Sequence, residues 1–373
     1  MSYFENACNW PLVPLKDIAT LKRGYDLPVS QREQGDIPIY AANGPNGSHN
    51  EAKIIGPGVI TGRSGTIGKV HYCEGDYWPL NTSLYVTNFH GNDPRWVFYL
   101  LQSFRLERFS EGAGVPTLNR NLVHDELIPL PPLAEQQRIA AILDKADAIR
   151  RKRQQAIQLA DDFLRAVFLG MFGDLVTPGG YANATRFKIR DLVEYIDYRG
   201  KTPEKSLSGV PLITAKNVKK GYVDHEPREY IPESNYASWM TRGLPIENDV
   251  LFTTEAPLGN VALLGRYEKV VVGQRLIALR SKGKVTHEFL MYLLLDPFVQ
   301  GLILNRSSGS TVKGIRTKEL YEIELPVPDL IVQEKFTKIY WDMNRVRQKE
   351  SESLCLSDEV FQSLSQKAFK GEL

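Results

Sequence analysis

Residues Pro129 to Gln154 read PLPPLAEQQRIAAILDKADAIRRKRQ. Pro131 and Pro132 fit only before or at the start of a helix, because proline lacks a backbone N–H and its ring fixes φ. Glu135 follows in the first turn, where a negative group suits the positive end of the helix dipole. The segment therefore predicts a long helix from Leu133 to Phe172.

The same pattern returns near the end of the chain. LPVPDLIVQEKF (325–336) repeats the two prolines, the leucine and the glutamine of IPLPPLAEQQRI (128–139) at an offset of 197 residues (325 − 128). Gly112 and Val115 recur as Gly309 and Val312 at that offset. We predict a second helix from about Asp329 to Lys370. The chain is then two copies of one unit, each a mixed domain followed by a helix.

Both predicted helices carry interior residues at every seventh position, which is typical of coiled coils. A twofold-like relation between the copies requires the helices to run antiparallel. We predict a polar layer in which Arg150 faces Glu350 and Arg153 faces Arg347, because such a layer can fix the register of a coiled coil. The predicted seam comprises Leu143, Arg150, Arg153, Ile157, Leu164, Met343, Arg347, Glu350, Leu354 and Phe361.

The segments outside the helices are rich in Gly, Pro, Asn and Tyr and hold short strand-like runs such as IPIYA, GVITG and DVLFTT. Helical stretches interrupt these runs, which predicts an α+β fold. We expect two β-rich mixed domains separated by two long antiparallel helices that form a coiled coil, with an internal pseudo-twofold repeat. The predicted boundaries are 1–130 for the first domain, 131–175 for the central helix, 176–327 for the second domain and 328–373 for the distal helix.

Composition narrows the classes of protein. The 373 residues carry a net charge of +2 and three widely separated cysteines, which argues against a disulfide framework and fits a reducing cytoplasm. The N-terminus lacks the pattern of a signal peptide, and the longest apolar stretch is too short to span a bilayer. The second mixed segment (176–327) has 21 Lys and Arg against 17 Asp and Glu, whereas residues 1–131 have 11 against 13. Only the second is clearly basic.

The sequence matches the motifs of known enzymes poorly. GRSGTIGK (62–69) suggests a phosphate loop, but Val70 stands where a Ser or Thr must bind magnesium, so we interpret it as a glycine-bent turn. Asp36, Glu51 and Lys53 resemble the acid–acid–lysine pattern of many nucleases, but the second copy does not reproduce it. The six histidines lack metal-ligand spacing. We predict no catalytic residue and no metal site in this chain.

Three segments resemble the helical regions of specificity (S) subunits of type I restriction–modification systems: IPLPPLAEQQRIAAILDKADAI (128–149), LPVPDLIVQEKF (325–336) and the terminal KAFKGEL (367–373). The resemblance covers the whole arrangement of domain and helix, twice over. It implies that the mixed domains are target-recognition domains. Each would read one half of a bipartite, asymmetric site in double-stranded DNA.

The resemblance also implies that the chain is not an enzyme by itself and lies in the cytoplasm, away from any membrane. Its helices would set the gap between the half-sites and dock two methyltransferase (M) subunits. Those partners bring S-adenosylmethionine, and restriction and translocation (R) subunits bring ATP hydrolysis with magnesium. This chain would bind no cofactor itself.

Clusters of basic and polar residues mark candidate DNA contacts, because Lys and Arg hold phosphates while polar side chains read base edges. The predicted contacts are Lys22, Arg23, Tyr25, Asn43, Arg63, Lys69, Arg199, Lys201, Lys216, Asn217, Lys219, Lys220, Lys313 and Arg316. Two other functions stay open at this point. The first is a metal-dependent nuclease using Asp36, Glu51 and Lys53, and the second is a coiled-coil scaffold that bridges partners other than DNA.

Overall fold

A computed structural model describes residues 3–112, 114–198 and 202–373. The chain divides into two compact units. Unit 1 comprises Met1–Gln155 and Glu350–Leu373, and unit 2 comprises Ala156–Lys349. Each unit therefore contains one mixed segment and a part of each long helix.

Unit 1 begins with eleven strands and two short helices and continues into the first long helix. The strands are β1 (Leu12–Pro14), β2 (Thr20–Arg23), β3 (Ile37–Ala41), β4 (Gly44–His49), β5 (Gly58–Gly62), β6 (Val70–Cys73), β7 (Trp78–Pro79), β8 (Ser83–Asn88), β9 (Ser110–Glu111), β10 (Thr117–Leu118) and β11 (Leu127–Pro129). The helices are α1 (Pro94–Ser103), α2 (Arg120–His124) and α3 (Leu133–Phe172).

The remaining elements follow in chain order. The helices are α4 (Pro178–Asn183), α5 (Ile189–Leu192), α6 (Tyr236–Trp239), α7 (His287–Leu295), α8 (Pro297–Asn305), α9 (Thr317–Tyr321) and α10 (Leu330–Lys370). The strands are β12 (Arg186–Lys188), β13 (Val193–Asp197), β14 (Val210–Ile213), β15 (Tyr230–Ile231), β16 (Val250–Thr253), β17 (Val261–Leu263), β18 (Val271–Val272), β19 (Leu276–Ser281) and β20 (Glu324–Pro326). Helix α3 has the bounds predicted from the sequence, and α10 begins one residue later than predicted.

The two units share one sheet topology. Unit 1 has an antiparallel sheet in the order β2-β8-β5-β6, and unit 2 has the order β13-β19-β16-β17. A three-stranded sheet accompanies each, β4-β3-β7 and β15-β14-β18, with one antiparallel and one parallel pair in both. The pair β1-β11 has its counterpart in β12-β20. The predicted α+β class and internal repeat are confirmed.

Aromatic side chains of the short helices fill the cores. In unit 1, Trp96 and Tyr99 of α1 pack with Leu143 of α3 and Phe369 of α10 in one buried cluster. In unit 2, Phe289 of α7 lies 4.8 Å from Phe172 of α3, measured between ring centroids, in a cluster that also holds Phe336 of α10. Burying each such side chain contributes about 1.5–3 kcal/mol. These contacts fix the mixed part of each unit to its helical part.

The repeated glutamine has a structural explanation. Gln136 is buried; its Oε1 accepts the Asp93 N–H at 2.9 Å, and its Nε2 donates to the Asn92 side chain and the Pro131 carbonyl. Gln333 is equally buried. Its Oε1 accepts the Thr286 N–H at 3.0 Å, and its Nε2 donates to the carbonyls of Lys284 and Pro328. Asp93 and Thr286 are the N-caps of α1 and α7, so each glutamine joins the start of a short helix to the start of a long one.

The long helices run antiparallel within each unit. In unit 1, Arg150 donates to Asp358 at 2.6 Å and Arg153 to Glu350 at 3.1 Å, so residue numbers fall along α10 as they rise along α3. In unit 2, Arg347 donates to Asp161 at 2.9 Å. Of the predicted seam residues, Leu143 and Leu164 are fully buried, and the other eight are half-buried.

The predicted register is wrong. Arg150 does not pair with Glu350: its partner lies eight residues further along α10 (358 − 350), and Glu350 accepts from Arg153. Arg153 and Arg347 do not form a shared layer either, because each pairs with a carboxylate in its own unit. Heptad spacing identifies the residues of a seam, but it leaves their axial offset open by whole turns. The arginine–carboxylate pairs of the structure show the actual offset.

One pair of helices has the composition of a membrane span. Among the described residues no single helix is long and apolar enough to cross a membrane, and only α7 with α8, bent by 71°, meets the criterion as a pair. Phe289, Leu290 and Leu294 of α7 and Ile303 of α8 are buried in the core of unit 2.

Candidate nucleic-acid interface

One end of the four-stranded sheet in unit 1 gathers several of the predicted residues. Strand β2 ends at Arg23, which pairs with Leu84 of β8. Strand β5 ends at Gly62, which pairs with the neighbouring Ser83 and is followed by Arg63. Because β8 lies between β2 and β5, the two arginines lie at the same end of the sheet. We call this surface, defined by Arg23, Arg63 and the loop described next, the reading end.

Strands β9 and β10, the connection between them and the start of α2 complete the reading end of unit 1, and we call this segment its loop. Thr117 bridges to Ser64, and the Leu118 N–H donates to the Arg63 carbonyl at 2.8 Å. The loop and the strand ends enclose a cleft of about 390 Å³, the arginine cleft. Its polar lining consists of Arg23, Arg63, Glu111, Asn119, Arg120 and Asn121, with Thr117 beside them.

The other predicted residues of unit 1 lie around this cleft or beside it. Asn43 is exposed and follows Ala42, whose N–H donates to Thr82 at 3.3 Å. Lys69 is exposed just before β6, and Lys22 is exposed on β2. Tyr25 is half-buried, and its hydroxyl lies 2.9 Å from the hydroxyl of Tyr85.

Unit 2 has the equivalent end. Strands β13 and β16 end at Asp197 and Thr253, which pair with consecutive residues at the start of β19. The Ile315 N–H donates to the Thr254 carbonyl at 2.9 Å, the counterpart of the bond from Leu118 to Arg63. This contact holds the loop with Lys313 and Arg316, both exposed, at the reading end of unit 2.

The predicted cluster of three lysines lies in the loop between β14 and β15. Lys219 donates to the Lys216 carbonyl at 2.7 Å, and the Asn260 side chain donates to the Val218 carbonyl at 2.8 Å. The loop is therefore fastened to the connection between β16 and β17, which starts at the reading end. Lys216 and Lys220 are exposed, while Lys219 is half-buried.

Asn217, predicted as a DNA contact, is buried. Its Oδ1 accepts from the N–H and the hydroxyl of Thr214, and its Nδ2 donates to the carbonyls of Asp224 and Pro227. These four hydrogen bonds occupy both acceptor positions of the amide oxygen and both N–H donors of the amide nitrogen. The side chain therefore shapes the lysine-bearing loop from inside. Arg199 and Lys201, also predicted, lie outside the described residues.

Sequence reasoning missed Arg120, although a signal was present. The residue follows Gly112, a member of the repeated Gly–Val pair, by eight positions in the same loop (120 − 112). Gly112 and Gly309 both have positive φ, 110° and 105°, which glycine adopts without steric cost. The repeated glycines thus indicate equivalent loops at the reading ends, and the cations on these loops are candidate DNA contacts.

Burial is the main cause of the pKa shifts of two titratable groups in unit 1. Burial, and then the nearby Arg120, lower the pKa of His124, whose Nε2 accepts the Leu21 N–H at 2.9 Å. A neutral imidazole is therefore needed for this bond, which joins α2 to β2. Burial raises the pKa of Tyr40 to about 12, so its hydroxyl stays protonated.

The residues weighed for catalysis take part in structural contacts or lie exposed on the surface. Gly65 and Gly68 have positive φ between β5 and β6, which confirms the interpretation of GRSGTIGK as a glycine-bent turn. Lys53 lies 5.2 Å from the Tyr25 ring centroid and 5.4 Å from that of Trp78, and Asp36 and Glu51 are exposed. Within the described ranges, no three His, Cys, Asp or Glu side chains are placed to hold a metal ion.

Comparison with protein families identifies the class to which this fold and surface belong. The family described as type I restriction modification DNA specificity domain matches residues 8–159 and again residues 182–344. The two matches cover most of the chain and repeat one domain. The chain therefore belongs to the family of type I restriction–modification DNA specificity proteins.

Individual relatives are distant in sequence and similar in length. The chain is 25% identical over 288 residues to the type I restriction enzyme MjaVIII specificity subunit of Methanocaldococcus jannaschii, covering 70% of this chain and 67% of that one. It is 22% identical to the EcoKI specificity subunit of Escherichia coli K12, covering 98% and 89%.

A solved structure agrees with the fold. The S subunit of a type I restriction–modification system from M. genitalium superposes with a TM-score of 0.61 at 16% identity, covering 98% of this chain and 97% of that one. At this identity the likeness concerns the fold. The family match and the fold together confirm the resemblance drawn from the helix motifs.

Proposed function

We propose that the chain reads a bipartite, asymmetric site in double-stranded DNA, one half with each unit. The observation that carries this proposal is the repeated reading end. Each unit ends its four-stranded sheet in the same topology and fastens an equivalent loop there by an equivalent backbone bond. Each loop carries exposed cations, Arg120 in unit 1 and Lys313 with Arg316 in unit 2. Different side chains on the same frame would give the two halves different sequences.

The charges at the reading ends suit DNA. Within the part of the chain that the structure describes, Lys22, Arg23, Lys69 and Arg120 have no ion pair in unit 1, and Lys220, Lys313 and Arg316 have none in unit 2. Cations without a carboxylate partner are available to phosphates, and binding releases the counterions of the DNA. The modest net charge of +2 is compatible with this use, because partner subunits would share the phosphate contacts.

The long helices would set the gap between the half-sites. Helix α3 has 40 residues and α10 has 41, which correspond to about 60 Å each at ~1.5 Å per residue. Carboxylate–arginine pairs along both helices oppose sliding of one helix along the other. A helix pair of fixed register serves as a spacer between two readers.

Exposed apolar residues on these helices would dock the methyltransferase subunits. In unit 1 a groove of about 420 Å³ is lined by Ile149, Leu356 and Val360, which are 51%, 63% and 55% exposed. In unit 2, Phe163 and Val346 are exposed. One apolar surface per unit suits two copies of an M subunit. S-adenosylmethionine would be bound by those subunits, and ATP with magnesium by R subunits that join through them.

Binding of DNA by the chain, co-purified with the methyltransferase subunits of its own system, tests the proposal. Methylation mapping in a host that expresses the complex gives the site, and fluorescence anisotropy measures affinity between 50 and 200 mM salt. We expect the cognate duplex to bind at least about 10³-fold more tightly than an unrelated duplex, with affinity falling steeply as salt rises. Salt-independent binding, or equal affinity for both duplexes, would favour a scaffold that does not read DNA.

A further inference from the structure

The arginine cleft gathers three arginines that have no ion pair among the described residues. Arg95 and Arg108 pair with Asp144 and Glu126. Among the described residues, Arg23, Arg63 and Arg120 take part in no ion pair, although Glu111 lies in the same lining. The Asn119 amide donates to Glu111 at 3.2 Å and thereby holds this carboxylate. Three cations and one acceptor therefore face a single cleft.

We propose that the arginine cleft reads a G·C base pair, an inference that rests on the proposed function. Arg63 is the specificity-determining residue, and Arg23 and Arg120 hold the flanking phosphates. The inference goes beyond DNA binding as such, because it assigns base reading and phosphate binding to different arginines of one cleft.

The attachment of Arg63 fits base reading. Its N–H donates to the Thr82 carbonyl at 2.9 Å, and its own carbonyl accepts from Leu118 at 2.8 Å, so the backbone is fixed on both sides. The side chain is half-buried, and Nη1 reaches the Asn81 carbonyl at 3.4 Å. That single long contact leaves most of the five guanidinium donors without a protein acceptor among the described residues. A fixed arginine with free donors suits the O6 and N7 acceptors of guanine.

Glu111 favours a base pair over phosphate alone. A cleft that bound only phosphate would place this carboxylate beside a like charge, which is unfavourable. A G·C pair presents two acceptors on guanine and the N4 amino donor on cytosine in the major groove. Arginine and glutamate together match this pattern. Arg23 and Arg120 are both exposed, Arg23 at the end of β2 and Arg120 at the start of α2. Their long side chains can therefore reach the phosphates of the DNA backbone.

The equivalent end of unit 2 has a different lining, which supports a reader of different specificity. Glu255 lies in the place of Ser64, as the bridges to Gly314 and Thr117 show. Arg275 donates to Glu255 at 2.9 Å and is thereby paired. Among the described residues, the three arginines without an ion pair that line one cleft lie in unit 1, so the guanine is expected in the half-site that unit 1 reads.

Affinity of the methyltransferase complex for a panel of duplexes tests this assignment. The panel contains the mapped site and every single-base-pair change in both half-sites. R63K keeps the charge but loses the planar fork, so it should lose about 5- to 150-fold of the discrimination at one G·C position and keep its salt dependence. R120Q should weaken all duplexes alike and reduce the salt slope by about 0.9. R105Q, an exposed arginine outside the cleft, is the matched control and should change neither.

Unchanged base preferences in both R63K and E111Q would overturn the inference, while a wild-type complex that still prefers its site would leave the proposed function standing. A wild-type complex without any preference would remove both. E111Q keeps the shape of Glu111 and removes the charge, so it should relax the same G·C position if R63K does not fold. Thermal unfolding of each variant shows whether a loss of preference is a loss of structure.

Discussion

At the scale of single residues, the function of a cation here depends on whether a carboxylate reaches it. Arg280 is held by the buried Asp249 through two bonds, at 2.9 and 2.7 Å, and Arg150 is held by Asp358. Such arginines stabilise the fold, and their guanidinium groups are already bound to a carboxylate. Arg23 and Arg120 have the same side chain, and no carboxylate of the described residues forms an ion pair with either. The sequence does not distinguish the two groups, because the partner lies far away in the chain.

His124 predicts a dependence of stability on pH. Its pKa is lowered from the ordinary value near 6.5 by burial and by Arg120. A lowered pKa means that the folded chain binds the proton less well than the unfolded chain does. The stabilisation is therefore complete above about pH 6.5 and is lost as the pH falls through the lowered pKa. The denaturant midpoint of the full chain should decrease between pH 7.5 and pH 5.5.

The variant H124Q separates this contribution from other titrating groups. Glutamine can accept the Leu21 N–H through its amide oxygen and does not titrate in this range. The midpoint of H124Q should fall less steeply with acid than that of the wild type. Equal slopes would show that His124 does not carry the effect, in which case His71, whose pKa burial also lowers, is the next group to replace.

At the scale of elements, the repeated motif is a joint between a short helix and a long one. The glutamine satisfies the N–H of a helix N-cap and a carbonyl of the proline segment at the same time. Buried backbone groups need such partners, because leaving one unpaired costs about 1–3 kcal/mol. The same solution in both units explains why the motif survives in two copies whose mixed segments differ.

Gln136→Leu should therefore destabilise unit 1. Leucine has a similar volume but leaves the Asp93 N–H and the Pro131 carbonyl without their partner, at an expected cost of about 1–3 kcal/mol in the free energy of unfolding. Urea unfolding followed by circular dichroism gives this value. Gln137→Leu is the matched control, since Gln137 is exposed beside it and should change stability by less than about 0.5 kcal/mol. Equal effects of the two variants would contradict the proposed joint.

The elements themselves could be predicted from the sequence, whereas their contacts could not. IPIYA and GVITG are strands β3 and β5 with the predicted bounds, because alternating apolar runs between turn residues are a local signal. The reading end needed the pairing of β2, β5 and β8, whose order along the chain differs from their order in the sheet. The place of Arg120 beside Arg23 and Arg63 depends on that pairing. The burial of Asn217 depends on bonds within its own loop, and the offset of α3 against α10 is visible only in the arginine–carboxylate pairs between them.

In the whole molecule, duplication gives two units of one topology. Each unit has its own sheet, its own loop and a segment of each helix. On the proposed function, the side chains that read one half-site can change separately from those that read the other. The antiparallel pairing in both units lets one chain supply both helices of the seam. If the proposed function holds, the length of that seam is a property that can be altered separately from the bases that are read.

Insertion of four residues into both helices tests this separation. The insertions belong between Gln155 and Ala156 and between Lys349 and Glu350, where the residues of unit 1 give way to those of unit 2. Four residues add about 6 Å at ~1.5 Å per residue and return the helix close to its starting face. At ~3.4 Å per base pair the preferred gap should grow by one or two base pairs while both half-site sequences stay the same. Methylation mapping measures the gap directly. An insertion in α3 alone is the control. The helix pair then cannot keep the unit 1 pairs of Arg150 and Arg153 and the unit 2 pair of Asp161 with Arg347 in register together, so stability should fall without a new gap being defined. An unchanged gap in the double insertion would show that the helices do not set the spacing.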